Sequence, residues 1–219
     1  MSVEIIDKNR ADRFVVEHHY LHSNPSVAQI NYGLIFGNDL EAVASYGPIH
    51  VPRSPANWLE LRRLVRLPDP YELSIPLSSF LSKTLRFLKK ENVPAVLSWA
   101  DPSANHHGGI YQATNWVYTE PYSYNWNSHF KRPDGSIIDH RAAYKMFGTS
   151  AREKVLQINP DWVAFLPQPK YRYLMPLSLS KDECLKILKA RERPYPKPNI
   201  DGVRKRVDRR NEFKLTGIA

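Results

Sequence analysis

The chain has 219 residues, of which 42% are hydrophobic and 24% charged, so it is long enough and apolar enough to build a hydrophobic core. No apolar run approaches the roughly 20 residues that a membrane-spanning helix needs, and the first residues lack a signal-peptide layout. The single cysteine, Cys184, excludes an internal disulfide and a cysteine-based zinc site. These features predict a protein of the reducing cytoplasm.

The net charge of +9 is concentrated at the C-terminal end. Residues 186–219 contain eleven Lys and Arg against four Asp and Glu, which leaves the rest of the chain close to neutral. A basic tail on a near-neutral body predicts a polyanionic partner, and nucleic acid is the first candidate. A solubilising tail, or contacts within an assembly, is the alternative that charge alone leaves open.

The first elements predict a strand, a helix and a hairpin. Residues 2–6 resemble a short strand, and a helical period over 9–20, with Asn9 as its cap, places a histidine-rich cluster at its end. Protonated histidine is favoured at a helix C-terminus, which is the alternative to a catalytic role for this cluster. Residues 27–36 and 40–46 flank a Gly-Asn-Asp turn and predict an antiparallel hairpin.

Residues 58–67 predict a further strand of the same sheet, with Glu60, Arg62 and Arg63 near its middle. A charge in a central strand must be paired or lie at a functional site. An internal pair with Glu60 on an exposed face is therefore the alternative to a functional role for these arginines.

The stretch after the strongest helix has the layout of an α/β site. An apolar stripe at helical spacing predicts a helix over 74–91, with Ser74 as its cap. A buried strand over 95–100 follows and ends at Asp101, and a polar turn with His106 and His107 leads into a short helix that carries Tyr111. A carboxylate at the carboxyl end of a strand, followed by a polar loop and a helix, is typical of α/β sites.

The remaining elements are shorter, and the pattern as a whole predicts an α/β fold with a mixed, partly antiparallel sheet flanked by helices. We expect a catalytic domain over 1–178 with an insertion at about 121–170, and a basic helix, a proline-rich linker and a tail over 179–219. The elements predicted after Tyr118 are a hairpin over 129–141, a helix over 150–158, a strand over 171–175, a helix over 182–193 and an extended linker over 194–198.

No common catalytic motif is present in the sequence. It lacks the P-loop, the dinucleotide glycine fingerprint, the His-Glu-x-x-His motif, the nucleophile elbow and the Asp/Asn-Pro-Pro-Tyr motif of amino-methylating enzymes. What remains is a polar set able to move protons or to bind a non-haem metal. Its members are His18, His19, Tyr20, Glu60, Arg62, Arg63, Asp101, His106, His107 and Tyr111.

The order of elements resembles the acetyltransferase fold of the GNAT superfamily, in which two halves of a sheet splay apart after the fourth strand. In this comparison residues 58–67 match the fourth strand and 95–101 the fifth. Tyr111 matches the tyrosine that commonly protonates the departing thiolate, and packing alone is the alternative for it. The glycine-rich pyrophosphate loop of the superfamily is missing, and residues 67–76 stand in its place. An acetyl-CoA-like donor stays a candidate, but we do not expect it to bind through that loop in the ordinary way, although the helix N-terminus still offers an anion site.

Five ordered motifs within residues 10–176 are similar to the Mom family of phage DNA-modification proteins. They are HHYLH at 18–22, WLELRRLV at 58–65, SWAD at 98–101, HGGIYQATNW at 107–116 and KYRY at 170–173. The resemblance implies a transferase of divergent acetyltransferase fold that converts adenine in DNA to its N6-carbamoylmethyl form, which protects phage DNA from host restriction. It also implies double-stranded DNA as partner and, for a phage-encoded protein, the host cytoplasm as location.

On this resemblance we expect Asp101 to hold or deprotonate adenine N6 and Tyr111 to act as the acid or to orient the donor. His19 and Tyr20 complete the pocket, Arg63 and Arg62 neutralise an anionic donor or phosphate, and Ser98 contacts the donor. The resemblance also implies bound iron, with His19, Tyr20 and Asp101 as ligands, although His107 is an equal candidate.

The remaining assignments concern DNA. Phosphate contacts that ignore sequence are expected from Arg204, Lys205, Arg206, Arg209 and Arg210. A flipped base could stack on Trp99, Trp116, Tyr122, Tyr124 or Trp126, and core packing is the stronger interpretation of Trp99 and Trp116. Two other functions stay open: an ordinary N-acetyltransferase for a protein, RNA or small molecule, and a non-catalytic DNA-binding protein. The missing glycine loop weighs against the first, and the absence of a helix-turn-helix or zinc pattern against the second.

Overall fold

The computed structural model describes residues 1–19, 28–49, 55–102, 106–119, 128–167 and 169–197, and within them the chain forms ten strands and six helices. The strands are β1 (Ser2–Ile5), β2 (Ile30–Phe36), β3 (Asp39–Pro48), β4 (Leu59–Arg66), β5 (Ala95–Ala100), β6 (Val117–Tyr118), β7 (His129–Lys131), β8 (Ile137–Ile138), β9 (Val163–Phe165) and β10 (Tyr171–Pro176). The helices are α1 (Lys8–His18), α2 (Leu77–Lys90), α3 (Gly109–Gln112), α4 (His140–Phe147), α5 (Arg152–Ile158) and α6 (Lys181–Leu188).

The chain divides into two compact units. The first is drawn from residues 1–100, 107–120 and 171–219, and it contains a seven-stranded sheet in the order β1-β2-β3-β4-β5-β10-β6. The second is drawn from residues 101–106 and 121–170 and contains a three-stranded sheet in the order β8-β7-β9. The large sheet is mixed and mostly antiparallel, which confirms the predicted fold class.

Strands β4 and β5 of the large sheet pair over only a short length. These two strands are parallel and pair only at Leu59 with Val96 and at Glu60 with Leu97. Beyond these pairs β4 continues along β3 as far as Arg66, while β5 continues along β10 as far as Ala100. The two halves of the sheet therefore separate after the start of the fourth strand, as the acetyltransferase resemblance implied.

Helix α2 covers one side of this sheet with the predicted apolar stripe. Phe80, Leu81 and Leu88 are fully buried in a cluster that also contains Tyr46 and Trp116. Burial of each such side chain contributes about 1.5–3 kcal/mol of transfer free energy. On another part of the sheet, α1 buries Ala11, Phe14 and Val15 against Ile35, Val43 and Val65.

Three predicted helix caps are wrong, and only at α1 does another side chain take the role. Asp7, not Asn9, caps α1, and its carboxylate accepts from the Arg10 amide at 2.9 Å. Helix α2 begins at Leu77 after Pro76, and Ser74 instead donates to a distant carboxylate. The short α5 begins after Ala151 without the predicted cap from Ser150. The two serines expected as caps, Ser74 and Ser150, are therefore not the N-cap residues of α2 and α5.

The second unit contains a helix, α4, that the sequence did not predict, and the hairpin predicted over 129–141 overlaps only its first two residues. The predicted turn over 133–135 does join β7 to β8, but α4 begins directly afterwards at His140. Asp139 caps α4 by accepting from the Ala142 amide at 2.7 Å, and Gly148 ends it in the left-handed conformation. These are ordinary helix boundary signals. The core of this unit is Phe130, Ala143 and Val155.

The predicted helix over 182–193 is shorter in the structure and is followed by a packed segment. A capping box between Ser180 and Glu183 starts α6, which ends at Leu188 before Lys189 in the left-handed conformation. Residues 192–196 then make hydrogen bonds to other parts of the first unit, so the extended linker expected over 194–198 is joined to the fold as far as Pro196. Within the described residues, no helix is long and apolar enough to span a membrane.

Candidate functional site

The point where β4 leaves β5 is occupied by a hydrogen-bonded serine and tyrosine. Ser98 of β5 is buried, and its hydroxyl donates to the Leu61 carbonyl of β4 at 3.0 Å. The Tyr111 Oη of α3 lies 2.7 Å from Ser98 Oγ. A serine hydroxyl has one proton, and here that proton points to Leu61, so Tyr111 is the donor to Ser98. The sequence predicted both residues for the site, and the structure brings them into direct contact.

Tyr111 is held within an aromatic cluster. Its ring centroid lies 4.8 Å from that of Tyr173 and 5.0 Å from that of Trp116, and both neighbours are fully buried. Burial raises the pKa of Tyr173 to about 12, which keeps its phenol neutral and able to donate. The Tyr173 hydroxyl donates to the His107 carbonyl at 2.6 Å. Tyr173 therefore ties β10 to the turn that precedes Tyr111.

Gly108 is the residue that lets this turn approach Tyr173. It has a φ of +84°, and a Cβ placed on it would lie 2.3–2.5 Å from the end of the Tyr173 ring. A side chain at this position would therefore meet both backbone strain and steric overlap. Glycine is required here for two independent reasons.

The two arginines of β4 have different environments. Arg62 is almost fully buried, and its Nη2 donates to the Pro48 carbonyl and lies 3.5 Å from a Glu60 carboxylate oxygen. Burial lowers the pKa of Arg62, and Glu60 opposes that effect. Among the described residues, no atom accepts from the buried Arg62 Nε. The predicted pair with Glu60 exists, but on a buried rather than an exposed face, while Arg63 Nη1 donates to the Arg62 carbonyl at 2.8 Å.

A carboxylate already occupies the chain segment that precedes α2. Glu41 is buried, and its carboxylate accepts from the Ser74 amide at 3.0 and 3.2 Å and from the Ser74 hydroxyl at 2.5 Å. Ser74 belongs to residues 67–76, which occupy the position of the glycine-rich pyrophosphate loop in the GNAT superfamily. An internal anion therefore uses the backbone donor that an anionic group would otherwise seek just before the helix.

Asp101 belongs to the second unit, where it has a basic partner. Lys170 Nζ lies 3.1 Å from Asp101 Oδ2, and the Asp101 carbonyl accepts from the His106 amide at 3.0 Å. Asp101 directly follows β5 in the chain, and Lys170 directly precedes β10. The sequence identified Asp101, but not the lysine that pairs with it.

Two histidines of the second unit form a pair that the sequence reading did not single out. The rings of His129 and His140 are stacked with centroids 6.1 Å apart, and Phe165 contacts His129 edge-on. Burial is the largest cause of a lowered pKa at His129; Asp139 opposes it, and His140 adds to it. No atom of the described residues accepts from or donates to the buried His140 Nδ1.

The remaining predicted site residues are placed as follows. His19 is the C-cap residue of α1, and its amide donates to the Val15 carbonyl at 2.9 Å. Trp116 is fully buried and Trp99 is partly buried in a core cluster, as expected from packing. The other predicted positions lie outside the described residues: Tyr20, Tyr122, Tyr124, Trp126, Arg204, Lys205, Arg206, Arg209 and Arg210.

The iron site that the resemblance implied stays a prediction, because Tyr20, one of its three ligands, lies outside the described residues. Nowhere in the described ranges do three or more His, Cys, Asp or Glu side chains group so that they could hold a metal ion. Of the other two implied ligands, His19 belongs to the first unit and Asp101 to the second. No step of the reaction proposed below is therefore assigned to a metal.

Several residues of the site escaped the sequence reading. Tyr173 and Gln112 lie inside motifs that carried the family resemblance, so a signal for them existed. The sequence contained no such signal for Tyr195, because its hydrogen-bond partner is the Trp116 carbonyl, 79 residues earlier in the chain. Glu41 and Ser74 were likewise missed as a pair, 33 residues apart.

The comparisons with known proteins agree with the motifs. The family model of the Mom protein family matches residues 1–197. None of the curated proteins compared with the chain matches it.

Solved structures similar to this chain include several acetyltransferases. The ribosomal-protein-S18-alanine N-acetyltransferase from Escherichia coli has 11% identity and a TM-score of 0.47, with 83% of this chain and 96% of that chain covered. The IAA acetyltransferase from Bacillus cereus has 11% identity and a TM-score of 0.47, with 80% of this chain and 99% of that chain covered. An acetyltransferase from Bacillus subtilis in complex with CoA has 10% identity and a TM-score of 0.45, with 80% of this chain and 97% of that chain covered. At these identities nothing about their substrates is transferred to this chain.

Proposed function

The chain belongs to the Mom protein family, and on that premise we propose that it modifies DNA by converting adenine to its N6-carbamoylmethyl form. The observation that carries the proposal is the Tyr111 phenol, held by Ser98 at the point where β4 and β5 separate. A proton donor fixed at such a gap suits a group transfer whose leaving group must be protonated.

The gap between β4 and β5 supports binding of a donor in an extended conformation. Beyond Glu60 and Leu97 the two strands no longer pair with each other, so each offers backbone groups along its facing edge. Such an edge pairs with an extended ligand that contains amide groups. Arg62 and Arg63 lie on β4 beside this edge and supply positive charge for an anionic part of the donor.

The proposed reaction uses a donor in which the carbamoylmethyl methylene carbon bears a thiolate as leaving group. Adenine N6 attacks this carbon, and a new N–C bond forms while the C–S bond breaks with its electron pair. Tyr111 gives its proton to the departing thiolate, and a carboxylate base, the role that the family resemblance gives to Asp101, takes one of the two N6 protons. Both residues return to their starting states by exchanging a proton with solvent.

Ser98 supports the acid step by exchanging its hydrogen-bond partner. Before the reaction it accepts from Tyr111 and donates to Leu61. Once Tyr111 has lost its proton, rotation of the Ser98 hydroxyl lets it donate to the phenolate instead. A charge-assisted bond of that kind is about twice as strong as a neutral one, which offsets the lost bond to Leu61.

Asp101 is the proposed base because adenine N6 is a poor nucleophile until its proton is accepted. The lone pair of N6 is delocalised into the ring, and a carboxylate within hydrogen-bond reach localises it as the new bond forms. Lys170 Nζ lies 3.1 Å from Asp101 Oδ2 and restrains the position of this carboxylate. The target base must leave the helical stack before either residue can act on it.

The test is expression of the protein together with a plasmid in a bacterial host, followed by digestion of the plasmid to nucleosides and mass spectrometry. The expected product is a deoxyadenosine heavier by one carbamoylmethyl group in place of a hydrogen. Deoxyadenosine heavier by an acetyl group would instead indicate an ordinary acetyltransferase reaction. Unmodified plasmid from a host containing folded protein and able to supply the donor would refute the proposal.

A further inference from the structure

The segment that follows α6 lies across the helix that carries Tyr111. Its contacts begin at Glu192, which bridges to Thr119, and at Arg193, whose amide donates to the Tyr118 carbonyl at 2.9 Å. We call residues 192–197 the strap. The first two residues of the strap are therefore joined to β6 and to the residue directly after it.

The second half of the strap contacts α3 and the residues directly after it. The Tyr195 hydroxyl donates to the Trp116 carbonyl at 2.7 Å, and Gln112 Nε2 donates to the Pro196 carbonyl at 3.2 Å. The Tyr195 ring lies 6.5 Å from the ring of Tyr173, which itself packs on Tyr111. The strap thus meets both ends of the short segment that holds Tyr111.

Gln112 joins the strap to the turn before α3. The same Nε2 lies 3.2 Å from the Tyr173 hydroxyl and 3.3 Å from the His107 carbonyl. Gln112 directly follows Tyr111, so its position fixes the backbone from which Tyr111 projects. Three elements, the strap, β10 and the turn at His107, therefore meet at one amide group.

Helix α3 needs these contacts because it has little stability of its own. It contains four residues, and its N-cap, Gly108, provides no side-chain hydrogen bond. A single helical turn is unstable unless tertiary contacts hold it. The Trp116 amide also donates to the Tyr111 carbonyl at 3.0 Å, so the Tyr195 bond to Trp116 restrains the Tyr111 backbone as well.

We propose that the strap is part of the active site, and that Gln112 and Tyr195 are positioning residues that keep Tyr111 at Ser98 during group transfer. The inference rests on the proposed function, in which Tyr111 is the acid.

Two substitutions test the strap with little change in shape. Tyr195→Phe removes only the hydroxyl that donates to Trp116, and Gln112→Met removes the donors to Pro196, Tyr173 and His107. Tyr144→Phe is the matched control, because Tyr144 lies exposed on α4 in the other unit. Each full-length variant is compared with wild type for three quantities: plasmid adenine modified per amount of protein, affinity for a labelled DNA duplex, and hydrogen exchange at residues 111–116.

We expect both strap variants to lose about tenfold in modification, while their affinity for the duplex stays within about twofold of wild type. Their amides at 111–116 exchange faster, and amides of β2 and β3 do not. Tyr144→Phe behaves as wild type in all three measurements. Loss of DNA affinity in proportion to activity, or unchanged exchange at 111–116, would overturn the inference.

Hydrogen exchange separates this inference from the proposed function. A wild-type protein that leaves DNA unmodified refutes the function, whereas the exchange measurement still decides whether the strap holds α3. Activity that falls only as far as the folded fraction falls, measured by urea denaturation of each variant, would also overturn the positioning role.

Discussion

Tyr111 Oη donates to Ser98 Oγ at 2.7 Å, and the same Ser98 donates to the Leu61 carbonyl of the neighbouring strand at 3.0 Å. One serine thus spans the two strands at their point of separation and fixes the direction of the tyrosine proton. Because both Tyr111 and Ser98 are buried, this direction is set by the protein rather than by solvent. The candidate acid is therefore oriented before any ligand binds.

The first prediction concerns the two members of this hydrogen bond. Tyr111→Phe should lower DNA modification by about 10²-fold or more, which is the usual contribution of a general acid. Ser98→Ala should lower it by about tenfold, because the acid remains but loses the group that orients it. Nucleoside mass spectrometry of co-expressed plasmid measures both effects, with Tyr144→Phe as the control for loss of a tyrosine hydroxyl.

A result in which Ser98→Ala is as inactive as Tyr111→Phe, in a protein of wild-type stability, would contradict this division of roles. Ser98 would then act on the substrate itself. Equal activity of Tyr111→Phe and wild type would leave Tyr111 with a packing role only.

The second prediction concerns the close approach at Gly108. Gly108→Ala should lower the free energy of unfolding by about 3 kcal/mol or more, because the added Cβ meets both a positive φ and the Tyr173 ring. Gly37→Ala is the control: it has a similar positive φ of +61°, but nothing lies within 4 Å of its Cβ. We expect the control to lose only about 1 kcal/mol in urea denaturation. Equal losses would mean that strain, not overlap with Tyr173, requires the glycine.

Local patterns predicted most of the fold. The apolar stripe of α2, the Gly-Asn turn between β2 and β3, and the buried strand β5 depend on neighbouring residues, so the sequence shows them directly. The element order and the motifs also led to the family, and to Tyr111 and Ser98 as site residues. Their mutual contact depends on how β4 and β5 separate, which the resemblance implied and the structure shows.

What the sequence did not show are contacts between distant residues. Ser74 was expected to cap α2, because a serine before an apolar stripe usually does so, but the buried Glu41 carboxylate competes for it. Tyr195 was expected in an extended linker because prolines surround it. Its bond to Trp116 depends on the path of the chain after α6, and no local pattern encodes that path.

The third prediction tests the Glu41 carboxylate as an internal anion. Glu41→Gln should lower the free energy of unfolding by about 1–3 kcal/mol, because two charge-assisted bonds to Ser74 are weakened in a buried place. Glu4→Gln is the control, since Glu4 is exposed on β1. Urea denaturation at neutral pH measures the difference. Equal stability of the two variants would show that the Glu41 charge contributes nothing net to this contact.

The fourth prediction concerns pH and His129. Its pKa is lowered in the folded protein, mainly by burial, from an ordinary value of 6.5. As pH falls below about 6.5 the unfolded chain therefore takes up this proton before the folded protein does, and stability declines until the folded pKa is passed. His129→Gln should make the decline of unfolding free energy between pH 7 and pH 5 shallower than in wild type. Parallel curves would show that His129 does not contribute to the decline.

The last prediction concerns the basic tail, whose role as a phosphate-binding segment is so far inferred from charge. Replacing Arg204, Lys205, Arg206, Arg209 and Arg210 by glutamine should weaken binding to a DNA duplex and flatten its salt dependence. Each phosphate contact contributes about 0.9 to the slope of log K against log salt, so loss of five contacts reduces the slope by about 4.5. Replacing Arg86, Lys89 and Lys90 at the end of α2 is the control for net charge. A direct phosphate contact releases counterions from the DNA, whereas a distant charge does not. If the slope changes equally per removed charge in both variants, the tail acts only through the total charge of the protein.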